Sequence, residues 1–189
     1  MVHNINVEKF GVRLRPVRLE DAEFIVRLRN SPLAAGNIGD SAPDKASQEA
    51  WLRSYFERAN DLYFIVERVR DSRAVGTCGI YHIERNVGQG GRWLIEPGVP
   101  AAAASCWLSF HTCFDILGLE VVLRRAVESN KEVISFHRRI RNPCVGLSAN
   151  SQVINGKRIR LVEFRTTKAD WFAISTELEH YTCMAEEFL

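Results

Sequence analysis

Apolar and polar positions change period several times along the chain, and each change marks an element. Val12 to Val17 alternate as a strand does, and Pro16 puts that strand near an edge or an end. Leu19-Glu-Asp-Ala-Glu23 then opens a helix through Leu28, with acidic residues in its first turn where the macrodipole favours them. Asn30-Ser-Pro32 stops it, and residues 31–44, rich in Ser, Pro, Gly, Asn and Asp, read as a surface loop. Trp51, Leu52, Tyr55 and Phe56 recur at helical spacing after candidate caps at Asp44 and Ser47. Leu62 to Val69 is a strand, Arg70 to Arg73 a turn, and Ala74 to Ile83 the antiparallel partner. Asn86-Val-Gly-Gln-Gly-Gly91 reads as a glycine-rich hairpin loop.

From Arg92 the pattern becomes a short apolar strand to Glu96, a break at Pro97-Gly-Val-Pro100, and a helix from Ala101 through Leu117. Gly118 sits where a helix C-terminal glycine belongs. A strand from Glu120 to Val127 and a helix opening at Ser129-Asn130 follow. Ser151 to Ile154 and Lys157 to Phe164 flank Asn155-Gly156, a strong hairpin signal, and a final helix from Lys168 offers Trp171, Leu178 and Tyr181 for packing. No linker or repeat interrupts this order, so residues 1–189 are expected to form one mixed α/β domain.

Composition narrows the class mainly by exclusion. With 189 residues, 46% of them hydrophobic, the chain is long enough for one real core. A net charge of +2 with scattered arginines gives no reason to expect nucleic acid. The five cysteines are odd in number and contain no C-x-x-C pair, which argues against a disulfide framework or a zinc site. Cys106 and Cys113 read as small buried hydrophobes. The N-terminus lacks the apolar run of a signal peptide and no stretch approaches a membrane span. A cytoplasmic protein with no membrane partner and no metal is expected.

The strand-break-helix unit from Arg92 is the chemical feature that stands out. The first N–H groups of its helix lack intrahelical partners, which makes that end a seat for an anion. A Walker glycine-Lys pattern and a Rossmann G-x-G-x-x-G are both absent.

Several further pieces recur in one order. They are Leu14-Arg-Pro-Val-Arg-Leu-Glu-Asp21, Trp93-Leu-Ile-Glu-Pro97, Phe114-Asp-Ile-Leu-Gly-Leu-Glu-Val-Val122 leading to Val127-Glu-Ser-Asn130, and Ile134-Ser-Phe-His-Arg-Arg-Ile140. Ile154-Asn-Gly-Lys157, Phe164-Arg-Thr-Thr167 and Asp170-Trp171 close the series. From about Gly11 to about Trp171 this succession resembles the GNAT superfamily of acyl-CoA-dependent N-acetyltransferases, and its ending resembles the RimJ/RimL-like branch. The resemblance implies a twisted, mostly antiparallel sheet of about seven strands, splayed between its fourth and fifth, with helices on both faces. It implies acetyl-CoA as co-substrate and direct attack of a primary amine on the thioester. Backbone groups at Leu94 and Ile95 would meet the pantetheine arm, and Gly98, Ala101, Ala103, Ala104 and Ser105 the pyrophosphate.

Two departures stand out. Ala101 fills a position that is usually glycine, in the stretch Gly98-Val-Pro-Ala101-Ala-Ala103, so the backbone there must have φ below zero or accept strain. Pro100 is compatible with a first helical turn. Arg141-Asn142 replaces the family's Gly-Phe, which is expected to disturb the close of the second helix more than the chemistry.

The same resemblance makes His137 a candidate general acid for the departing CoA thiolate; the alternative is a histidine on a helix surface. Asn130 would contact the pantetheine arm, or cap its helix, where Ser129-x-x-Glu132 also reads as a capping box. Glu96 is a candidate base or a solvated carboxylate at a strand end, with Tyr81, His82 and Glu84 as alternatives. Arg29, Asn30, Trp51 and Tyr55 fall in the region that shapes the acceptor pocket; the aromatic ones serve equally well as core. Pro97-Gly-Val-Pro100 and Leu28-Arg-Asn30 resemble members that act on nucleotide-linked amino sugars, and the closing hairpin resembles RimJ/RimL enzymes that acetylate protein N-termini; of the two acceptors the amino sugar is expected. The replaced glycines also fit a GNAT-fold binding module without catalysis. Many members dimerise, although no exposed apolar stripe in this sequence demands a homodimer.

Overall fold

The computed structural model describes every residue except Met1, Leu33, Ala35, Asp40 and Asn155. Three of these belong to the expected 31–44 loop and one to the expected Asn155-Gly156 turn, so those parts lie outside the described residues.

The described strands are β1 (Val7–Lys9), β2 (Val12–Pro16), β3 (Leu62–Arg68), β4 (Arg73–Glu84), β5 (Val87–Ile95), β6 (Val121–Val127), β7 (Cys144–Ile154) and β8 (Lys157–Thr167). They form one eight-stranded sheet in the order β1-β2-β3-β4-β5-β6-β8-β7. All neighbours are antiparallel except β5 and β6. The sheet thus has the expected character with one strand more than about seven. The extra strand is β1, which is only three residues long and turns into β2 at Phe10 (φ 56) and Gly11 (φ 70). So short a segment carries no legible period.

Helices α1 (Ala22–Arg29), α2 (Lys45–Phe56), α3 (Ala102–His111), α4 (Lys131–Arg139) and α5 (Lys168–Ala185) cover both faces. Alternation along β3 divides them. Leu62, Phe64 and Val66 pack with α3 and α5, whereas Tyr63 and Ile65 pack with α1 and α2. Ala126, Val162 and Phe164 hold α4 on the α3 face through Ile134. Helix α3 is buried along nearly its whole length, from Ala103 to Phe110. It passes into a π turn over Thr112–Ile116 before the left-handed Gly118 (φ 67).

The glycine-rich segment is the main revision of the expected elements. Its turn is confined to Arg85 (φ 47) and Asn86 (φ 65), and Val87 to Gly91 belong to β5. The glycines are there because neighbouring side chains occupy the space their Cβ atoms would fill. A Cβ on Gly88 would lie 2.7 Å from Leu119, one on Gly90 3.1 Å from the Arg124 guanidinium, and one on Gly91 2.3 Å from the Tyr81 hydroxyl. One further boundary differs: strand β7 begins at Cys144 rather than Ser151, interrupted by register shifts. Asn130 caps α4 as expected, accepting from the Val133 N–H at 3.2 Å.

A break in pairing shapes the site. Strands β5 and β6 are in register only from Val87↔Val121 to Gly90↔Arg124, after which they diverge. On the other side of β5 the register passes from Thr77↔Leu94 to Gly79↔Gly91, so β5 carries an extra residue there. Arg92 takes a left-handed φ of 49° at that bulge, and its carbonyl accepts from the Thr77 hydroxyl at 2.7 Å. The bulge turns the end of β5 away from β6.

Candidate active site

A cavity of about 490 Å³ lies where β5 and β6 diverge and is lined from both faces of the sheet. On the α3/α4 face it is lined by Ala102, Ala126, Asn130, Val133 and His137; on the α1/α2 face by Arg29, Gln48, Trp51, Tyr63, Tyr81 and Arg92. Leu94 and Ile95 line it from β5, and Ile38 and Gly39 from the loop after α1.

The α3 end of the cavity favours an anion. The first α-helical bond of α3 runs from the Ser105 N–H to the Ala101 carbonyl at 2.9 Å, and no side chain caps the helix. The N–H groups of Ala102, Ala103 and Ala104 precede that bond. A hollow of about 200 Å³ lies beside them, lined by Pro100, Ala102, Ala103, Phe136, Arg139 and Tyr181. Ala101 has φ −87° and ψ 0°, a conformation open to alanine, and Ala103 lies within the helix. The missing glycines therefore strain nothing, while the residue that does need a positive φ, at 79°, is Gly98. Ser105 is fully buried: its hydroxyl donates to the Ala102 carbonyl and accepts from Trp93 Nε1 at 3.0 Å. Its side chain is a strut. Trp93 continues from it to Phe136, ring centroids 5.3 Å apart, and so ties α3 to α4 along the cavity wall.

On the opposite face, Arg92 forms two hydrogen bonds with Asp61, one of them 2.8 Å long. Its guanidinium lies 4.7–5.4 Å from the ring centroids of Trp51, Tyr63 and Tyr81. The Tyr81 hydroxyl accepts from Gln89 Nε2 at 3.0 Å. Arg125 lines the same side, held by Glu163 and by the Gln89 carbonyl oxygen. This end is aromatic, and the carboxylates of Asp61 and Glu163 already pair with its arginines Arg92 and Arg125.

At the apex of the divergence stands Arg124, 3% exposed. It donates to the Ser109 hydroxyl at 2.8 Å and stacks on Phe110, and its buried Nε has no partner among the described residues. Nearby Cys106 and Cys113 are buried, with thiols pushed up to about 11 and about 12, so they are inert at neutral pH.

His137 lines the cavity but is 3% exposed rather than on a helix surface. Burial, and then the nearby Arg124 charge, pull its pKa down to about 3. The imidazolium that the general-acid expectation requires is therefore absent near neutral pH. Glu96 is not brought to the cavity: it pairs with Arg73 and, at 3.5 Å, with Arg27. Asn30 is also outside the lining and ties the following loop through the Ala42 carbonyl at 2.9 Å. Gly98, Ala101, Ala104 and Ser105 shape the α3 end without lining the main cavity. Tyr55 lies in the core, its hydroxyl accepting from the Tyr63 N–H at 2.8 Å.

Sequence reasoning passed over Arg92, Arg124, Arg139 and Gln48. For the first two a signal was available in Gly79 and Gly90, whose missing side chains leave room for Arg92 and Arg124. Among the described residues no group of three or more His, Cys, Asp or Glu is placed to hold a metal ion, and no helix is long and apolar enough to cross a membrane.

Residues 12–141, more than half of the chain, match the acetyltransferase (GNAT) domain, and the chain belongs to that family. Solved structures agree. A GCN5-related N-acetyltransferase from Brucella melitensis superposes with a TM-score of 0.82 at 18% identity, over 96% of this chain and 86% of that one. FdhC, a nucleotide-linked sugar GNAT, superposes with a TM-score of 0.75 at 26% identity, over 95% and 99%. The ribosomal-protein-S5-alanine acetyltransferase from Vibrio fischeri gives 0.73 at 15% identity, over 89% and 99%. No curated protein sequence matches.

Proposed function

We propose that the protein transfers the acetyl group of acetyl-CoA to the primary amine of a nucleotide-linked amino sugar. The lining of one cavity from both faces of the sheet carries this reading, because it offers donor and acceptor separate walls of different chemistry. The donor side is the α3/α4 face. A pyrophosphate suits the N–H groups ahead of the first α3 bond, with Arg139 beside them. The pantetheine arm suits the unpaired edge of β5 at Leu94 and Ile95, with Asn130 opposite.

The acceptor side is the α1/α2 face. Its aromatic rings, Trp51 and Tyr81, suit a nucleotide base, and Arg29, Arg92 and Arg125, the last two held by Asp61 and Glu163, present N–H donors to the nucleotide's phosphates. A peptide N-terminus has no comparable need for cations. The 26% identity to a nucleotide-linked sugar GNAT over nearly the whole chain supports the same choice.

In the reaction the amine nitrogen attacks the thioester carbonyl, the C–N bond forms, the C–S bond breaks, and the surplus amine proton is lost as the thiol is regenerated. Backbone N–H groups of β5 past the divergence would polarise the carbonyl. Arg124 supplies the standing positive charge at the apex of the cleft.

The test is incubation with acetyl-CoA and either nucleotide-linked amino sugars or N-terminal peptides, read by mass spectrometry, since exposed Cys144 and Cys183 would react with a thiol reporter. Acetylation of the amino sugars, with peptides unmodified, is expected. Acetylation of peptides alone would reassign the acceptor, and no transfer together with no acetyl-CoA binding would make the fold a binding module.

A further inference from the structure

Helix α4 ends in a way that bears on His137. Arg141 takes a left-handed φ of 58°, its N–H reaches the Arg138 carbonyl at 3.0 Å, and the Asn142 N–H reaches the His137 carbonyl at 2.9 Å. This pair of bonds is a Schellman motif, in which the residue after the left-handed one folds back on a residue of the last turn. That contact is usually apolar. Here it joins Asn142 to His137, both 3% exposed.

Burying two polar side chains against each other is costly unless their hydrogen bonds are satisfied. They are. The fully buried Thr166 donates its hydroxyl proton to Asn142 Oδ1 at 2.6 Å. With Oδ1 so occupied, Asn142 turns Nδ2 to His137 Nδ1 at 3.2 Å. An amide nitrogen only donates, so Nδ1 accepts and the ring proton sits on Nε2. Nε2 has no protein partner among the described residues and is not sealed off, so it opens onto the cavity that His137 lines.

We propose that Asn142 and Thr166 are positioning residues that lock His137 in the tautomer protonated on Nε2, so that it offers the cavity a neutral hydrogen-bond donor. The surroundings agree. Rings of Trp93, Phe136 and Phe164 enclose the imidazole, and the charged group acting on it is Arg124 of β6, which opposes a second positive charge. The replacement of the family's Gly-Phe by Arg141-Asn142 thus belongs with the histidine rather than with helix closure alone. The catalytic consequence, a donor aimed at the sulfur or carbonyl oxygen of the thioester, rests on the acetyl-transfer reading. The tautomer does not.

The experiment separates the two. Full-length protein labelled with 15N in its histidine rings, with His137 assigned through His137→Gln, reports tautomer and charge directly by long-range 15N–1H NMR. A neutral ring protonated on Nε2 is expected throughout about pH 5–8. In Asn142→Asp the carboxylate would accept from Nδ1, moving the ring proton there and bringing an imidazolium into the same pH range. In Thr166→Val the amide loses its anchor, so kcat should fall roughly tenfold or more while KM for acetyl-CoA stays within about twofold, and Thr166→Ser should restore it. A wild-type His137 protonated on Nδ1, or titrating within that range, overturns the proposal, as does an Asn142→Asp spectrum unchanged from wild type. Normal kcat in Thr166→Val and Asn142→Asp would overturn the catalytic consequence. Absence of transfer in the wild type would instead count against the acetyl-transfer reading, with the NMR result still deciding the tautomer.

Discussion

Replacing Asp61 with Asn removes the negative charge that partners Arg92 and leaves the side-chain shape almost unchanged. Asp61 is 7% exposed, and the Arg92 side chain is held between it and three aromatic rings. After Asp61→Asn the guanidinium keeps one neutral acceptor and faces an amide N–H at the other. Leaving one member of a buried ion pair uncompensated costs about 3–5 kcal/mol. The rings continue to favour the cation by about 0.5–2 kcal/mol, which puts the expected loss near the lower end, about 3 kcal/mol.

The reverse change, Arg92→Met, should cost less, because a stranded carboxylate escapes by taking up a proton whereas a guanidinium stays charged. It also relieves no strain, since residue 92 keeps its left-handed φ. The exposed Lys9–Glu179 pair is a control whose disruption should cost about 0–1 kcal/mol. Urea denaturation of the two single variants and the double variant closes a cycle, and the double should be much less unstable than the sum of the singles. A loss below about 1 kcal/mol for Asp61→Asn, or strict additivity in the cycle, would refute the view that this pair is buried and coupled.

Three further outcomes follow from other parts of the molecule. The unfolded chain protonates His137 near 6.5 and the folded chain only near 3, so between those values the unfolded state binds the extra proton and stability falls with falling pH. Lowering pH from about 6.5 to about 5.5 should cost roughly 1 kcal/mol through this group, a component that His137→Gln removes from the pH dependence of the urea midpoint. Ala102→Glu places a negative charge in the first turn of α3, which should raise stability by about 0.3–1 kcal/mol while abolishing acetyl-CoA binding, as read by melting and by titration. Arg141→Gly relieves the left-handed residue that closes α4 and gives up only an exposed pair with Glu177, so it should stabilise by up to about 1 kcal/mol in denaturant titration.

What the sequence revealed of this fold was the part written in local period and punctuation. The break at Pro97–Pro100, the alanine-led helix and the capped start of α4 are all local, and each stands where expected within a residue or two. The Val87–Gly91 strand was hidden because its glycines answer to distant side chains, Leu119, Arg124 and Tyr81, that no local window contains. The site was less legible for the same reason. Glu96 looks free at a strand end until Arg27 and Arg73 arrive from other elements, and His137 looks like a titrating imidazole until Arg124 and the Phe164 ring close around it. Asn142 was visible as a departure, but its partner Thr166 lies 24 residues away.

The proposed seat for acyl-CoA is the diverging β5–β6 cleft, with an uncapped α3 and alanines in place of glycines. Isothermal titration of the wild-type protein with acetyl-CoA tests it most directly. Saturable one-to-one binding in the micromolar range is the predicted result. An absence of binding heat at high micromolar acetyl-CoA, in protein that melts cooperatively, would contradict it.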